Sequence, residues 1–182
     1  GIDEGDVAKY VRLGLEAEKR NNDFKEFVSI FESLIKSVAA GNMKNRIDIK
    51  GFEGDFKTLS EATNNLLSIV DGAFADTIFG LNALQNGDFD ARITTEYQGD
   101  FDVVKKAAND TAAKLGLLLK NYNAGYAEIA KGNVKARVAT EGFENDYLKL
   151  IAVVNETLTT VDKAFADTIF GLNALQNGDF DA

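Results

Sequence analysis

The chain has 182 residues, 45% of them apolar and 27% charged, with a net charge of −9, the balance of a folded protein whose main partner is neither nucleic acid nor an anionic membrane surface. It contains no Cys, His or Pro, which excludes disulfides, thiolate and zinc–thiolate chemistry, imidazole bases and phosphohistidine, and favours long unbroken helices. No continuous apolar run of about 18 residues and no signal peptide is visible, so no segment is expected to span a bilayer.

The first 23 residues read as a helical lead-in. Val7, Tyr10, Val11, Gly14 and Ala17 sustain an apolar line until Glu18-Lys19-Arg20-Asn21-Asn22 interrupts it. Glu4-Gly5-Asp6-Val7 looks like the helix starts found further on, so a degenerate extra unit stays open for residues 1–23. From Phe24 the line resumes as Phe24, Val28, Phe31, Ile35 and Val38, and stops at Gly41.

The most telling stretch comes next. AFADTIFGLNALQNGDFDA fills 73–91 and recurs, letter for letter, at 164–182, so internal repetition takes priority over any local reading. Within it Phe74, Thr77, Ile78, Leu81 and Leu84 mark one helix face, and Gly87 stops the helix. Equivalent stops fall at Gly41, Gly87, Gly132 and Gly178, spaced 46, 45 and 46 residues apart. The exact repeat is therefore a pair of shorter units.

Each connector follows one sketch. After the glycine come an apolar residue (Met43, Phe89, Val134), then Arg and a β-branched residue (Arg46-Ile47, Arg92-Ile93, Arg137-Val138), then an aromatic (Phe52, Tyr97, Phe143). Acids follow at the next helix start: Glu53 and Asp55, Asp100, Glu144 and Asp146. They are expected to favour the positive helix end or to cap it directly. The three Arg residues are expected to form a salt bridge or to cap carbonyls inside the connector.

Three helices are predicted at 56–86, 101–131 and 147–177. In the last, Tyr147, Ile151, Val154, Leu158, Val161, Phe165, Thr168, Leu172 and Leu175 alternate three- and four-residue steps, a heptad a/d seam. The second helix repeats it with Phe56, Ser60, Thr63, Leu67, Val70, Phe74, Thr77, Leu81 and Leu84. The third runs Phe101, Lys105, Ala108, Ala112, Leu115, Leu119, Tyr122, Tyr126 and Ile129, with Lys105 expected at the edge. So narrow a seam on a helix of about 45 Å needs partner helices. A connector long enough to run back along its helix makes successive helices parallel, and two chains would complete a parallel four-helix bundle.

This pattern resembles the HAMP domain, the signal-relay module of bacterial chemoreceptors and sensor kinases. The residues that carry the resemblance are Leu84…Gly87-Asp88-Phe89…Arg92-Ile93…Gly99-Asp100-Phe101…Ala108-Asn109 and their counterparts in the other units. Departures are the absence of Pro, Gln98 in place of an acid, and Asn145 in place of Gly. The resemblance implies an all-α array of tandem parallel bundles formed by a homodimer, with long shared helices joined by extended connectors. Its units are expected at 24–70, 71–115 and 116–161, with 162–182 giving the first helix and connector start of a fourth. The chain begins with Gly and ends inside its own repeat, so it is expected to be a piece of a longer protein.

Other readings are weaker. The connector acids lack the order of a calcium loop and are read as helix-start and surface charges, with no metal and no cofactor expected. The aromatics fall on the seam or at connector anchors and are read as core. Asn109-Asp110-Thr111 and Asn155-Glu156-Thr157 match the glycosylation pattern but sit mid-helix and are read as accidental.

The implied function is non-catalytic: a cytoplasmic, intramolecular signal relay working by two-state repacking. Its partners are a second copy and the upstream sensor and downstream output domains of the same chain, with no membrane insertion and no small-molecule ligand. A regulatory segment of a sensor kinase or cyclase, or a passive coiled-coil spacer, are the alternatives. Thr63, Thr77, Thr168, Ala108 and Ala112 are the seam residues expected to keep two packings close in energy.

Overall fold

The computed structural model describes residues 3–178, among which there are four α-helices and no strand: α1 (Glu4–Ala39), α2 (Gly54–Gln85), α3 (Asp100–Ala130) and α4 (Asn145–Gln176). The ends of α2, α3 and α4 lie within two residues of those predicted. The connectors, 40–53, 86–99 and 131–144, are equal in length. Asp179 and Phe180 lie outside the described residues. α1 runs unbroken through 18–22, where the apolar line lapses; exposed polar residues with adequate helix propensity continue a helix without a buried face.

Each helix stops by the same device. Gly41, Gly87 and Gly132 take φ of 91°, 74° and 92°. The residue after each then donates its N–H five residues back, as in Asn42 to Ser37 at 3.0 Å, Asp88 to Ala83 at 2.9 Å and Asn133 to Glu128 at 3.0 Å. This double turn satisfies the orphan carbonyls of the last turn. The following helix opens on a second left-handed residue: Gly54 (φ 55°), Gly99 (58°) and Asn145 (53°). Asn is the substitute for Gly that tolerates this conformation best, since its short polar side chain bonds locally.

The chain forms two compact bodies, 1–78 and 79–182, with the boundary inside α2. In the first, Phe24 and Phe27 at mid-α1 meet Phe56 at the start of α2, with ring centroids 6.3 and 5.4 Å apart. Near the end of α1, Ser37 accepts from Asn45, while Arg46 reaches Ser68 near the middle of α2. Both pairings advance in the same direction, so α1 and α2 are parallel and the connector runs back between them. Phe27, Leu34, Ile47 and Phe52 are the buried core there. In the second body the pairings Lys114–Gly142, Asn121–Ala139 and Gly125–Val138, then Val138–Asn155 and Arg137–Thr159, make α3 and α4 parallel likewise. Val138, Phe143 and Ile151 form that core.

α2 departs from the expectation about membranes. An 18-residue window of it has a mean hydropathy of 1.3, enough by length and composition to cross a bilayer. Any such window inside α2 includes Asp71, whose carboxylate stands 3.8 Å from Arg46 of the connector, and the helix's own seam supplies its high hydropathy.

A Cβ placed at Gly54 or Gly99 meets nothing within 4 Å, so substitution there tests backbone conformation alone. Gly99→Ala is expected to cost about 1–2 kcal/mol, whereas Asn145→Gly should leave stability within about 0.5 kcal/mol; urea unfolding of the two variants checks this.

Candidate functional site

The connectors are the irregular backbone of this chain, and each is held by one side chain from the helix that follows. Asn64 accepts from the Ile47 N–H at 2.8 Å and donates to the Ile47 carbonyl at 2.9 Å. Asn109 does the same to Ile93 at 2.9 and 3.0 Å, and Asn155 to Val138 at 2.9 and 3.0 Å. A carboxamide carries one acceptor and one donor in a fixed plane, so it imitates the peptide edge of a neighbouring strand. Ile47, Ile93 and Val138 are the most deeply buried connector residues, 3%, 5% and 2% exposed. Their backbone groups lie where water is scarce and must be paired by protein.

Sequence reasoning missed the clasping role of Asn64, Asn109 and Asn155. The signal was an Asn recurring 17, 16 and 17 residues beyond the β-branched residue, readable only by someone looking for a partner to unpaired strand backbone. The clasps also explain the two glycosylation-like triplets, since the amides of Asn109 and Asn155 are occupied.

The Arg residues turn out to cap carbonyls in all three connectors and to form an ion pair in two. Nη1 of Arg46 donates to the carbonyls of Met43 and Asn45 at 2.6 and 2.8 Å. Arg92 treats Phe89 and Ala91 alike at 2.6 and 2.7 Å, and Arg137 does so with Val134 and Ala136 at 3.0 and 2.8 Å. Arg46 and Arg137 then turn Nη2 to the following helix, reaching Asp71 and Ser68 at 3.8 and 3.2 Å, and Asp162 and Thr159 at 3.6 and 3.1 Å.

The predicted connector residues are brought together. Ile47, Phe52, Ile93, Val138 and Phe143 are buried, and Met43, Phe89, Tyr97 and Val134 are half-buried. Of the helix-start acids, Asp55, Asp100 and Asp146 sit in first helical turns, but α3 and α4 have no side-chain cap bond. Direct capping therefore does not occur there: the cap position holds Gly99, without a side chain, or Glu144. Glu53, before the first residue of α2, is exposed.

Lys105 is not at an edge. It fills the position held elsewhere by the fully buried Ser60 and Ile151, and its side chain is only 13% exposed. Its ammonium donates to the Thr95 carbonyl at 3.1 Å and faces Asp102 at 3.5 Å. Asp102 is held below its usual carboxylate range by its hydrogen bond to Lys106.

The seam divides in two. Phe31, Val38, Leu67, Val70, Thr77, Leu84, Leu115, Tyr122, Ile129, Val154 and Leu158 are half-buried. Ile35, Phe74, Leu81, Leu119, Val161, Phe165, Leu172 and Leu175 are 40–61% exposed, and Thr168 is exposed too. In α1 the chain buries Phe27 and Leu34 against its own connector, leaving Phe24, Val28 and Ile35 outside. The Thr63, Thr77 and Thr168 hydroxyls each bond the carbonyl four residues back at 2.8 Å. The Tyr122 hydroxyl is buried without a hydrogen-bond partner among the described residues, and burial raises its pKa.

Removing a clasp leaves two buried backbone groups unpaired. Asn155→Ala is expected to destabilise by about 2–4 kcal/mol, and Asp162→Asn, which loosens a partly exposed ion pair, by less than about 1 kcal/mol. Urea midpoints of the two variants decide which contact holds the connector.

Comparison with known proteins agrees with this geometry. Residues 51–115 match the HAMP domain family. The methyl-accepting chemotaxis protein McpB of Pseudomonas aeruginosa is 37% identical over 86 residues, which is 47% of this chain and 13% of McpB. The match thus spans about an eighth of that relative's length. No solved structure matches the chain. The helix–connector–helix unit at 51–115 is thus similar to a HAMP domain, and 47% of the chain is similar to a stretch of a methyl-accepting chemotaxis protein.

Proposed function

We propose that the chain is a non-catalytic signal relay in which two copies pair along their exposed seams. The observation that carries this is the separation of faces on each helix. One face is consumed by the chain's own connector, while Phe74, Leu81, Phe165, Leu172 and Leu175 stand more than half exposed in heptad register. Parallel helix pairs with a narrow apolar stripe are completed by a second such pair, giving a parallel four-helix bundle. A second copy is the occupant that matches this stripe in length, direction and spacing.

The units are 24–70, 71–115 and 116–161, with a fourth beginning at 162 and residues 1–23 as lead-in. α2, α3 and α4 each serve as the outgoing helix of one unit and the incoming helix of the next. A change of packing in one bundle is then imposed on its neighbour. Two packings must lie within a few kcal/mol for an input to shift them, and the small or polar seam residues Thr63, Thr77, Ala108, Ala112 and Thr168 keep that gap narrow. The relay lies on the cytoplasmic side of a chemoreceptor-like protein, between a sensor and an output domain. In α2 the paired Asp71 and the clasping Asn64 support a place in such a bundle and not in lipid.

Light scattering of this chain is expected to give twice the monomer mass. Leu81→Asp, which places a charge in the seam, should halve that mass; a monomeric parent would overturn the pairing. In an intact receptor, Thr77→Ile is expected to tighten the dimer by about 1 kcal/mol and to bias output towards one state. Unchanged output from a stabilised variant would refute the two-state mechanism.

A further inference from the structure

The three connectors differ where they face the following helix. With the clasping Asn64, Asn109 and Asn155 as markers, the positions four and seven residues on are Ser68 and Asp71, Ala113 and Gly116, and Thr159 and Asp162. The middle repeat has thus lost both the hydroxyl and the carboxylate that receive the connector Arg in the other two. Eleven and fourteen residues beyond the clasp the change runs the other way. Ala75 and Ile78, or Ala166 and Ile169, are replaced by Lys120 and Asn123. These positions share one helix face. An acceptor pair has been exchanged for a cation and an amide beside a guanidinium.

The geometry follows the exchange. Nη1 of Arg92 is spent on the Phe89 and Ala91 carbonyls, and the rest of its guanidinium meets no carboxylate or hydroxyl among the described residues. Beside it opens a cavity of about 620 Å³ bordered by Arg92, Gly116, Lys120 and Asn123. Asp88 and Asp90 border it as well; Asp88 Oδ1 accepts from the Asp90 and Ala91 N–H groups at 3.2 Å, so that oxygen is occupied within the connector, and Asp90 leaves one further carboxylate in a lining with two cations. At the third connector the corresponding cavity is smaller, about 410 Å³, and carries Asp162 and Ile169.

We propose that this middle-repeat cavity binds a small oxyanion, held by the free edge of Arg92, the Lys120 ammonium and the Asn123 amide. A planar guanidinium edge with a nearby ammonium suits phosphate and carboxylate oxygens. The bound anion takes the place of the missing Asp and hydroxyl, tying the middle connector to α3 as Asp71 and Asp162 tie the others. This departs from the expectation that no small molecule binds, and it does not depend on pairing of two chains.

The test is a titration of the isotopically labelled chain with inorganic phosphate, followed by amide NMR at constant ionic strength, with acetate and chloride as parallel arms. Saturable shifts centred on Gly116, Lys120 and Asn123 are expected with phosphate. Acetate producing the same shifts extends the site to carboxylates, and acetate producing none confines it to phosphate groups. Lys120→Gln, on an exposed helix position, should weaken binding about tenfold, and Gly116→Asp should abolish it by supplying an internal carboxylate. A Cβ at Gly116 stands 3.3 Å from Phe89 Cβ, so Lys120→Gln is the decisive variant if Gly116→Asp shifts the connector. Equal shifts with chloride, or binding indifferent to Lys120→Gln, would overturn the proposal.

Discussion

Everything irregular in this chain depends on one kind of contact, a carboxamide bonded to both peptide groups of a buried β-branched residue. A connector running between two helices has no neighbouring strand to satisfy its backbone. Burying Ile47, Ile93 or Val138 without a partner would forfeit two hydrogen bonds at once. Asn64, Asn109 and Asn155 remove that penalty. They also fix the axial position of the connector on its helix, because a one-residue slip would point the β-branched side chain out to solvent. The parallel direction of α1 and α2, and of α3 and α4, follows from that fixed register.

A division of labour between helix faces follows in turn. The face turned to the connector carries Asn, the Arg-binding Asp and small residues such as Gly125, which lies against Val138. The seam face carries Phe, Leu and Thr. One helix thereby has two apolar stripes, one spent within the chain and one left exposed. Such doubled stripes raise the mean hydropathy of α2 to the level of a membrane span although Asp71 lies in every relevant window.

Much of this was legible in the residues. Gly87 and its equivalents marked the helix ends because a left-handed stop leaves few alternatives, and Arg92-Ile93 marked the connector because the pattern recurs in phase. The connector anchors Phe52 and Phe143 were readable as apolar residues standing just before a charged helix start. What stayed hidden was pairing between distant polar groups: an Asn inside a helix looks like surface until its carbonyl partner is known. Lys105 was misplaced for a related reason. Periodicity assigns a position to the inside, but only the nearby Thr95 carbonyl and the Asp102 carboxylate show that an ammonium is tolerated there. In α1 a single periodic reading follows one stripe only, and Phe27 and Leu34, buried against the connector, lie on the other.

The duplicated peptide gives the molecule an internal standard. Residues 73–85 and 164–176 have identical chemistry and both are helical, yet Ala73 is 6% exposed and Thr77 half-buried, while Ala164 and Thr168 are exposed. Intrinsic propensity, side-chain volume and local charge cancel between the two copies. Any difference in their hydrogen exchange or side-chain order then measures surroundings alone, a separation of local from tertiary effects that ordinarily requires building a second protein.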